Sequence, residues 1–141
     1  LHSYMKYTLI DHTADFGIRV SGSDLKDLFE NTAYAMFDLI IDAELSKDGK
    51  EFDISVSGYD LPDLMFNWLR ELLYLFAGKE MVIKKADIVS ISENRLSARI
   101  TYSDYDPGRH EIKNEIKAVT YHQLKVENKS DGWETIIIFD V

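Results

Sequence analysis

Apolar residues along this chain recur with two different periods, and the order of these periods restricts the fold. Three-and-four spacing, typical of a helix that buries one face, runs from Leu25 to Ile41 and again from Leu61 to Phe76. Strand-like alternation precedes each stretch, and the second half of the chain shows strand patterns only. The sequence therefore predicts a single-domain α+β fold, β-α-β-α followed by a β-meander, with a mixed or antiparallel sheet and two helices packed on one face.

Capping and turn residues set the expected boundaries of these elements. Ser23 is the candidate N-cap of the first helix, Asp60 is that of the second, and Gly78 is the expected stop of the second. No internal repeat or linker is evident. The predicted strands are Lys6–Ile10, Phe16–Ser21, Phe52–Val56, Val82–Ile91, Arg95–Tyr102, Ile112–Ala118, Tyr121–Val126 and Trp133–Asp140.

Composition narrows the range of functions. The 141 residues are 45% hydrophobic, which suits one domain with a real core, expected to span residues 5–141, and residues 1–4 resemble an expression remnant. No stretch is long and apolar enough to cross a bilayer, so we expect a soluble, cytoplasmic protein. The absence of cysteine leaves only oxygen or imidazole ligands for a metal. A formal charge of -9 argues against direct, tight binding of nucleic acid.

Acidic residues at two distant points of the sequence form the main candidate site. Asp11-His12-Thr13-Ala14-Asp15 separates the first two predicted strands, and Asp140-Val141 follows the apolar run of the last strand. If the last strand pairs beside the first, carboxylates from both regions converge on one hard cation such as Ca²⁺ or Mg²⁺. Two other interpretations remain open: the cluster caps a turn through its backbone amides, or Arg19 neutralises Asp15 across the strand surface.

Several other polar residues are second-rank candidates. Lys117 and His122 approach the acids if their strand neighbours the last one, although such charges are usually a solvated strand face. Glu71, on an apolar helix, is a further oxygen ligand, a partner of Lys117 or simply a solvent-facing residue. His110, in a loop with Pro107 and Gly108, is expected to lie in a mobile surface loop.

Familiar catalytic signatures are absent. The sequence contains no glycine-rich phosphate loop, no two-histidine zinc helix and no Gly-x-Ser-x-Gly elbow. A metal-dependent phosphatase or phosphodiesterase that uses His12 or His122 as its acid–base group remains an alternative. A general chaperone-like binding module is the other alternative.

Five segments, taken in order, resemble the archease family. The resemblance covers about Met5 to Val141, and the order of the segments along the chain makes it specific. The segments are His12-Thr13-Ala14-Asp15 followed by Gly17-Ile18, the predicted helix that begins at Asp24-Leu25 and contains Leu28-Phe29-Glu30 and Ala33, Trp68-Leu69-Arg70-Glu71-Leu72-Leu73, Lys117-Ala118-Val119-Thr120-Tyr121-His122 and Phe139-Asp140-Val141.

This resemblance implies an accessory protein, not an enzyme. Its partner would be the RNA-splicing ligase that joins 3′-phosphate or 2′,3′-cyclic-phosphate ends to 5′-hydroxyl ends in tRNA splicing. The accessory protein would promote guanylylation of the ligase's histidine by GTP and support multiple turnover. The resemblance also implies a divalent metal ion, usually calcium, held by Asp15, Asp140 and the main-chain oxygens of Val141. Asp11, His12, Glu71, Lys117 and His122 are the secondary functional positions.

Overall fold

The computed structural model describes residues 7–10, 15–43 and 49–141. Asp11, His12 and the other residues of 11–14 lie outside the described part, as do 1–6 and 44–48. In chain order the elements are β1 (Tyr7–Ile10), β2 (Phe16–Gly22), α1 (Leu25–Ile40), β3 (Ile41–Ala43), β4 (Lys50–Ser57), α2 (Leu61–Lys79), β5 (Met81–Ile91), β6 (Arg95–Asp104), β7 (His110–Ile112), β8 (Ala118–Val119), β9 (Lys125–Lys129) and β10 (Gly132–Asp140).

The predicted α+β class with two helices is confirmed, and the strands divide among three antiparallel sheets. The largest sheet has the order β1-β2-β10-β8, and β9 also pairs with β10. A second sheet has the order β4-β6-β5, and β3 pairs with β7 in a third. The helices contact strands of both larger sheets, so their apolar residues build one shared core. Neither described helix is long and apolar enough to cross a membrane.

An internal repeat, which the sequence reading missed, links the two larger sheets. Each helix follows a strand through the same Ser-Gly-x-Asp-Leu-x-Asp-Leu segment, and an asparagine on the helix, Asn31 or Asn67, donates to the Ser21 or Ser57 carbonyl over 2.8 Å. The strand order β2-β10-β9 is repeated as β4-β6-β5. The two copies are Ser21-Gly22-Ser23-Asp24-Leu25-Lys26-Asp27-Leu28 and Ser57-Gly58-Tyr59-Asp60-Leu61-Pro62-Asp63-Leu64.

The glycine of each copy permits a close approach between strand and helix. A Cβ on Gly22 would lie 2.4 Å from the backbone nitrogen of Leu28, and a Cβ on Gly58 would lie 2.5 Å from that of Leu64. Real Cβ atoms essentially never come so close to backbone. The strand-to-helix turn therefore requires glycine on steric grounds at both positions.

The ends of the helices correct two sequence predictions. Asp24, not Ser23, is the N-cap of α1, since its carboxylate accepts from the Asp27 backbone N–H over 2.7 Å. Gly78 does not stop α2. The ring of Tyr74 lies against Gly78 within the helix, and the chain turns at Glu80, whose φ of 55° is left-handed.

The segment between β6 and β10 contains less strand than predicted. The backbone N–H of Lys113 donates to the Ile40 carbonyl over 2.8 Å, and the side-chain amide of Asn114 donates to the Leu39 carbonyl over 2.7 Å. These bonds tie residues 113–114 to the C-terminus of α1, so Ile112–Ala118 is not one strand but contributes only to β7 and β8. Residues 121–124 form a turn before β9, with Gln123 at a φ of 57°.

The helices meet over a buried polar contact. Trp68 of α2 is fully buried, and its indole N–H donates to the Phe29 carbonyl of α1 over 3.0 Å. The hydroxyl of Thr32 donates to the same carbonyl over 2.9 Å. Trp68 is therefore a core residue, as its spacing predicted.

Candidate functional site

The pairing of β2 with β10 joins the two acidic regions. In this antiparallel ladder Ile138 lies opposite Gly17 and Phe139 lies opposite Phe16. Continuing the register by one residue places Asp15 opposite Asp140. The hypothesis of a joint acidic site requires the last strand to lie beside the first strands, and the pairing of β10 with β2 meets this requirement.

The other side of β10 brings Lys117 to the same edge. Asp140 is paired with Ala118, and the backbone N–H of Lys117 donates to the Asp140 carbonyl over 2.8 Å. Lys117 and Asp140 are both exposed. Val141, which follows Asp140, is 38% exposed. Lys117 therefore lies beside Asp140, as the sequence predicted if the segment of Lys117 neighboured the last strand.

The donor atoms at this edge suit a hard divalent cation. Asp15 and Asp140 contribute carboxylates, Val141 contributes main-chain oxygens, and Ca²⁺ and Mg²⁺ both favour oxygen ligands. Within residues 7–10, 15–43 and 49–141 no group of three or more Asp, Glu or His side chains could by itself hold a metal. Asp11 and His12 fall outside these ranges. The ligand set of Asp15, Asp140 and Val141 therefore stays a prediction.

Arg19 has another acidic neighbour. Its Nε lies 3.6 Å from Oε1 of Glu134 on β10, and Nζ of Lys129 lies 3.7 Å from the same oxygen. Arg19 is thus engaged along the β2–β10 surface with Glu134.

Glu71 and His122 are the two remaining secondary residues that the structure describes. Glu71 is half-buried on α2, which contacts β8, but it forms no ion pair with Lys117 among the described residues. His122 is exposed, and its backbone N–H donates to the Thr120 hydroxyl over 3.2 Å. The functional roles of Glu71 and His122 stay predictions.

The model of the archease protein family matches residues 7–141. This chain belongs to the archease family. Archeases from Methanosarcina mazei and Pyrococcus furiosus are each 37% identical to it; the alignments cover 96% of both chains for the former, and 93% of this chain and 95% of the relative for the latter.

Two solved structures share the fold of this chain. The solution structure of protein 1598 from Methanobacterium thermoautotrophicum has a TM-score of 0.80 and 27% identity, covering 97% of this chain and 99% of that one. The crystal structure of an archease from Thermotoga maritima, described as a "possible chaperone", has a TM-score of 0.64 and 23% identity over 94% of both chains, which supports the fold alone.

His110 in this archease is a structural residue, and the mobile loop expected around it is wrong. The side chain is only 7% exposed, and its ring stacks on Tyr105 with centroids 5.8 Å apart. Its Nδ1 accepts the backbone N–H of Asp106 over 2.9 Å, which closes the turn.

Sequence reasoning missed a group of side chains on the outer face of α2. The ring of Tyr121 stacks on Phe66 with centroids 4.1 Å apart, and the guanidinium of Arg70 lies 5.3 Å from the Phe66 ring centre. The Tyr121 hydroxyl donates to Asp63. The signal was the three-and-four spacing of residues 63, 66, 70 and 74 opposite the buried face, but Tyr121 had been assigned to a strand.

Two hydrogen bonds between partly buried groups connect α1 of this archease to neighbouring strands. The Glu30 carboxylate accepts the Ile88 backbone N–H of β5 over 2.8 Å; burial raises the pKa of Glu30, although this hydrogen bond partly lowers it. The Tyr7 hydroxyl of β1 donates to Asp38 over 2.5 Å, and burial together with this bond raises the pKa of Tyr7. The second contact fixes the strand that leads towards residues 11–15.

Proposed function

We propose that this chain is a cytoplasmic, metal-binding accessory protein of the RNA-splicing ligase that joins 3′-phosphate or 2′,3′-cyclic-phosphate ends to 5′-hydroxyl ends in tRNA splicing. It promotes guanylylation of the ligase by GTP and supports multiple turnover, while the ligase itself performs catalysis. Membership of the archease family is consistent with this role. The observation that supports the proposal is the pairing of Phe16 with Phe139, the residues next to Asp15 and Asp140.

The proposed metal ligands are the carboxylates of Asp15 and Asp140 and the main-chain oxygens of Val141. Ca²⁺ is the favoured ion and Mg²⁺ the alternative, because both take oxygen ligands. An ion held by these residues would supply positive charge that can polarise phosphate oxygens. The β2–β10 ladder ends at the pair Phe16 and Phe139, each next to one of the aspartates, and Asp140 is also paired with Ala118, so less conformational freedom would be lost on binding an ion.

Lys117 has a proposed supporting role at the same edge. Its exposed ammonium group can attract an anionic phosphate of GTP, while its backbone N–H holds the Asp140 carbonyl. Asp11, His12, Glu71 and His122 are proposed as secondary contributors around it.

Charge supports docking on a protein that binds RNA. The chain has 25 acidic and 16 basic residues and a formal charge of -9. Opposite charge on a basic RNA-binding partner would raise the encounter rate and steer the docking. The same charge disfavours direct, tight binding of RNA by the chain itself.

The test is a ligation assay with catalytic ligase and excess RNA. Asp15→Asn with Asp140→Asn should abolish the stimulation of turnover and of ligase guanylylation. Asp53→Asn with Asp104→Asn is the matched control, since it removes the same charge from exposed strand residues that pair with Arg99 and Lys50. Full stimulation by the Asp15/Asp140 double variant would refute the proposal.

Two alternative functions give different outcomes with the same proteins. A chaperone, the description given to the Thermotoga relative, should suppress aggregation of a client equally well as wild type and as the Asp15/Asp140 double variant. A metal-dependent phosphatase or phosphodiesterase should release phosphate or alcohol from model esters without the ligase, and lose that activity in the variant.

A further inference from the structure

Residues 117–122 form a segment that runs from the acidic edge to α2. At its start the backbone N–H of Lys117 donates to the Asp140 carbonyl over 2.8 Å. Farther along, the backbone N–H and the hydroxyl of Thr120 both donate to the Ile138 carbonyl, over 3.1 Å and 3.0 Å. The next residue, Tyr121, contacts side chains of α2. The 117–122 segment therefore connects the last strand, β10, with the second helix.

The 117–122 segment holds the backbone of Asp140. The β2–β10 ladder ends at the pair Phe16 and Phe139, one residue short of Asp140. Asp140 is instead paired with Ala118 of β8, and its carbonyl accepts the N–H of Lys117. A displacement of β8 would therefore loosen the backbone that carries the Asp140 carboxylate.

Tyr121 anchors this segment on α2 through two contacts. Its ring stacks on Phe66 with centroids 4.1 Å apart, and its hydroxyl donates to the Asp63 carboxylate. Asp63 also accepts the Tyr59 backbone N–H over 2.9 Å, and the guanidinium of Arg70 lies 5.3 Å from the Phe66 ring centre. Both partners of Tyr121 on the helix therefore have further contacts of their own.

The core limits what Tyr121 alone can do. Ile116 and Val119 are buried in the core, so they keep the segment close to the protein. Tyr121, by contrast, is 49% exposed, and its ring is no part of that core. Replacing Tyr121 should therefore loosen the segment without unfolding the protein.

The internal repeat gives an independent reason to assign an anchoring role to this position of α2. When Asp27 of the first copy is aligned with Asp63 of the second, Glu30 of α1 occupies the position of Phe66. Glu30 accepts the backbone N–H of Ile88, on β5 of the second copy, over 2.8 Å. Phe66 contacts the segment that precedes β9 of the first copy. The same helix position thus contacts the other copy in both halves of the chain.

The hydroxyl that binds the repeated aspartate differs between the copies. In the first copy Asp27 accepts from the hydroxyl of Ser23, four residues away, over 3.2 Å. In the second copy Asp63 accepts from the hydroxyl of Tyr121, 58 residues away. A local bond in the first copy thus corresponds to a long-range bond in the second, at the helix that contacts the 117–122 segment.

We propose that Tyr121 is a positioning residue of the metal site. Tyr121 ties the 117–122 segment to α2, and the segment holds the backbone of Asp140 in place for an ion. The inference rests on the proposed function, because it requires Asp140 to be a metal ligand. When the segment is loose, ion binding has to order it, and the free energy spent on this ordering lowers the affinity. Such coupling is reciprocal, so a bound ion should also hold the segment more firmly.

The first measurement is the Ca²⁺ affinity of the full chain by calorimetry. Tyr121→Leu removes the stack and the hydroxyl bond, so the affinity should fall by about three- to tenfold, the range set by the loss of one aromatic pair. Tyr121→Phe keeps the stack and loses only the hydroxyl bond, so its affinity should fall by about twofold. Tyr74→Leu is the matched control, since Tyr74 is also a tyrosine of α2, is 53% exposed and lies against Gly78 of the same helix.

Amide hydrogen exchange, measured by NMR, separates positioning from general stability. In Tyr121→Leu the amides of Lys117 and Thr120 should exchange at least about threefold faster, because the local opening of the segment is favoured. The amide of Ile88, which Glu30 holds on the other sheet, should keep its wild-type rate. In the wild-type chain Ca²⁺ should slow the exchange of the Lys117 and Thr120 amides.

Three outcomes are distinguishable. Weaker Ca²⁺ binding by Tyr121→Leu, with faster exchange in the 117–122 segment alone and wild-type behaviour of Tyr74→Leu, supports the inference. Wild-type Ca²⁺ affinity in Tyr121→Leu, or exchange that is equally faster at Ile88, overturns the inference and leaves the proposed function intact. Failure of the wild-type chain to bind Ca²⁺, or unchanged binding by Asp15→Asn with Asp140→Asn, refutes the proposed metal site itself and the inference with it.

Discussion

Lys117 and Asp140 are joined through their backbones: the N–H of Lys117 donates to the carbonyl of Asp140 over 2.8 Å. This bond leaves both exposed side chains at the same edge, beside the position of Asp15 across β2. The edge therefore combines negative charge suited to a cation with positive charge suited to a phosphate. Predictions about each part can be tested separately.

Lys117→Ala should change metal binding and ligase stimulation in opposite directions. Removing a unit charge about 8 Å from a doubly charged ion in water lowers the repulsion by about 1 kcal/mol, so Ca²⁺ affinity should rise roughly fivefold at low ionic strength. Stimulation of ligation should fall, since the attraction for phosphate is lost. Calorimetric titration and the ligation assay measure the two effects, and weaker Ca²⁺ binding in this variant would contradict the assigned role.

Calcium should raise the thermal stability of the wild-type chain. A ligand that binds only the folded state at 100 times its Kd adds about 2.7 kcal/mol to the free energy of unfolding. Asp140→Asn should lose most of this gain, and Asp53→Asn should keep it. Thermal melts with Ca²⁺ and with a chelator make the comparison, and an equal rise in Tm for all three proteins would exclude a site at Asp140.

The repeated strand-to-helix glycines should tolerate no side chain. Gly22→Ala and Gly58→Ala each force a Cβ to within 2.4–2.5 Å of a backbone nitrogen, so each should lower the free energy of unfolding by roughly 2 kcal/mol or more. Gly108→Ala is the control, since its Cβ would meet only the Asp106 carboxylate, at 3.4 Å. Urea denaturation measures the three values, and similar stability for all three variants would count against the steric explanation.

Glu30 should make stability depend on pH in a defined direction. Burial raises its pKa in the folded state above the ordinary value of 4.5, so the folded chain binds this proton more tightly than the unfolded chain. The contribution is therefore present at low pH and is lost as the pH rises from 4.5 through the raised folded-state pKa.

Glu30→Gln keeps an acceptor for the Ile88 N–H but removes this titration. The stability of wild type relative to Glu30→Gln should be lower at pH 7 than at pH 4, because the folded chain holds this proton more tightly than the unfolded chain does. Urea denaturation at both values measures it, with Glu93→Gln in the exposed turn after β5 as the control. A pH-independent difference would show that the raised pKa of Glu30 does not affect folding.

The sequence was sufficient for those features that local periodicity determines. The apolar spacing predicted α1 and α2, the buried position of Trp68 and most long strands. The convergence of Asp15 with Asp140 was predicted as a consequence of strand order, and the observed register agrees with it. The identity of the metal ligands stays a prediction, and residues 11–14 lie outside the described part of the chain.

Long-range contacts account for what the sequence did not predict. Residues 113–114 hydrogen-bond to the end of α1, which no local pattern reveals, so one predicted strand became two short ones. His110 is buried by its stack on Tyr105 rather than by any spacing signal. The internal repeat was hidden because only its strand-to-helix segment is conserved between copies, while the helices differ in sequence.

In the sequence, the second copy of the repeat, β4 to β6, lies between the β2–α1 and β9–β10 parts of the first copy. This order affects folding during synthesis on the ribosome. The strands β4, β5 and β6 with α2 all emerge before β10, so this inner unit can form while β2 still lacks its partner. The pairing of Phe16 with Phe139, beside Asp15 and Asp140, forms only after β10 has left the exit tunnel. A prematurely terminated product could retain a folded inner half yet would have no acidic edge.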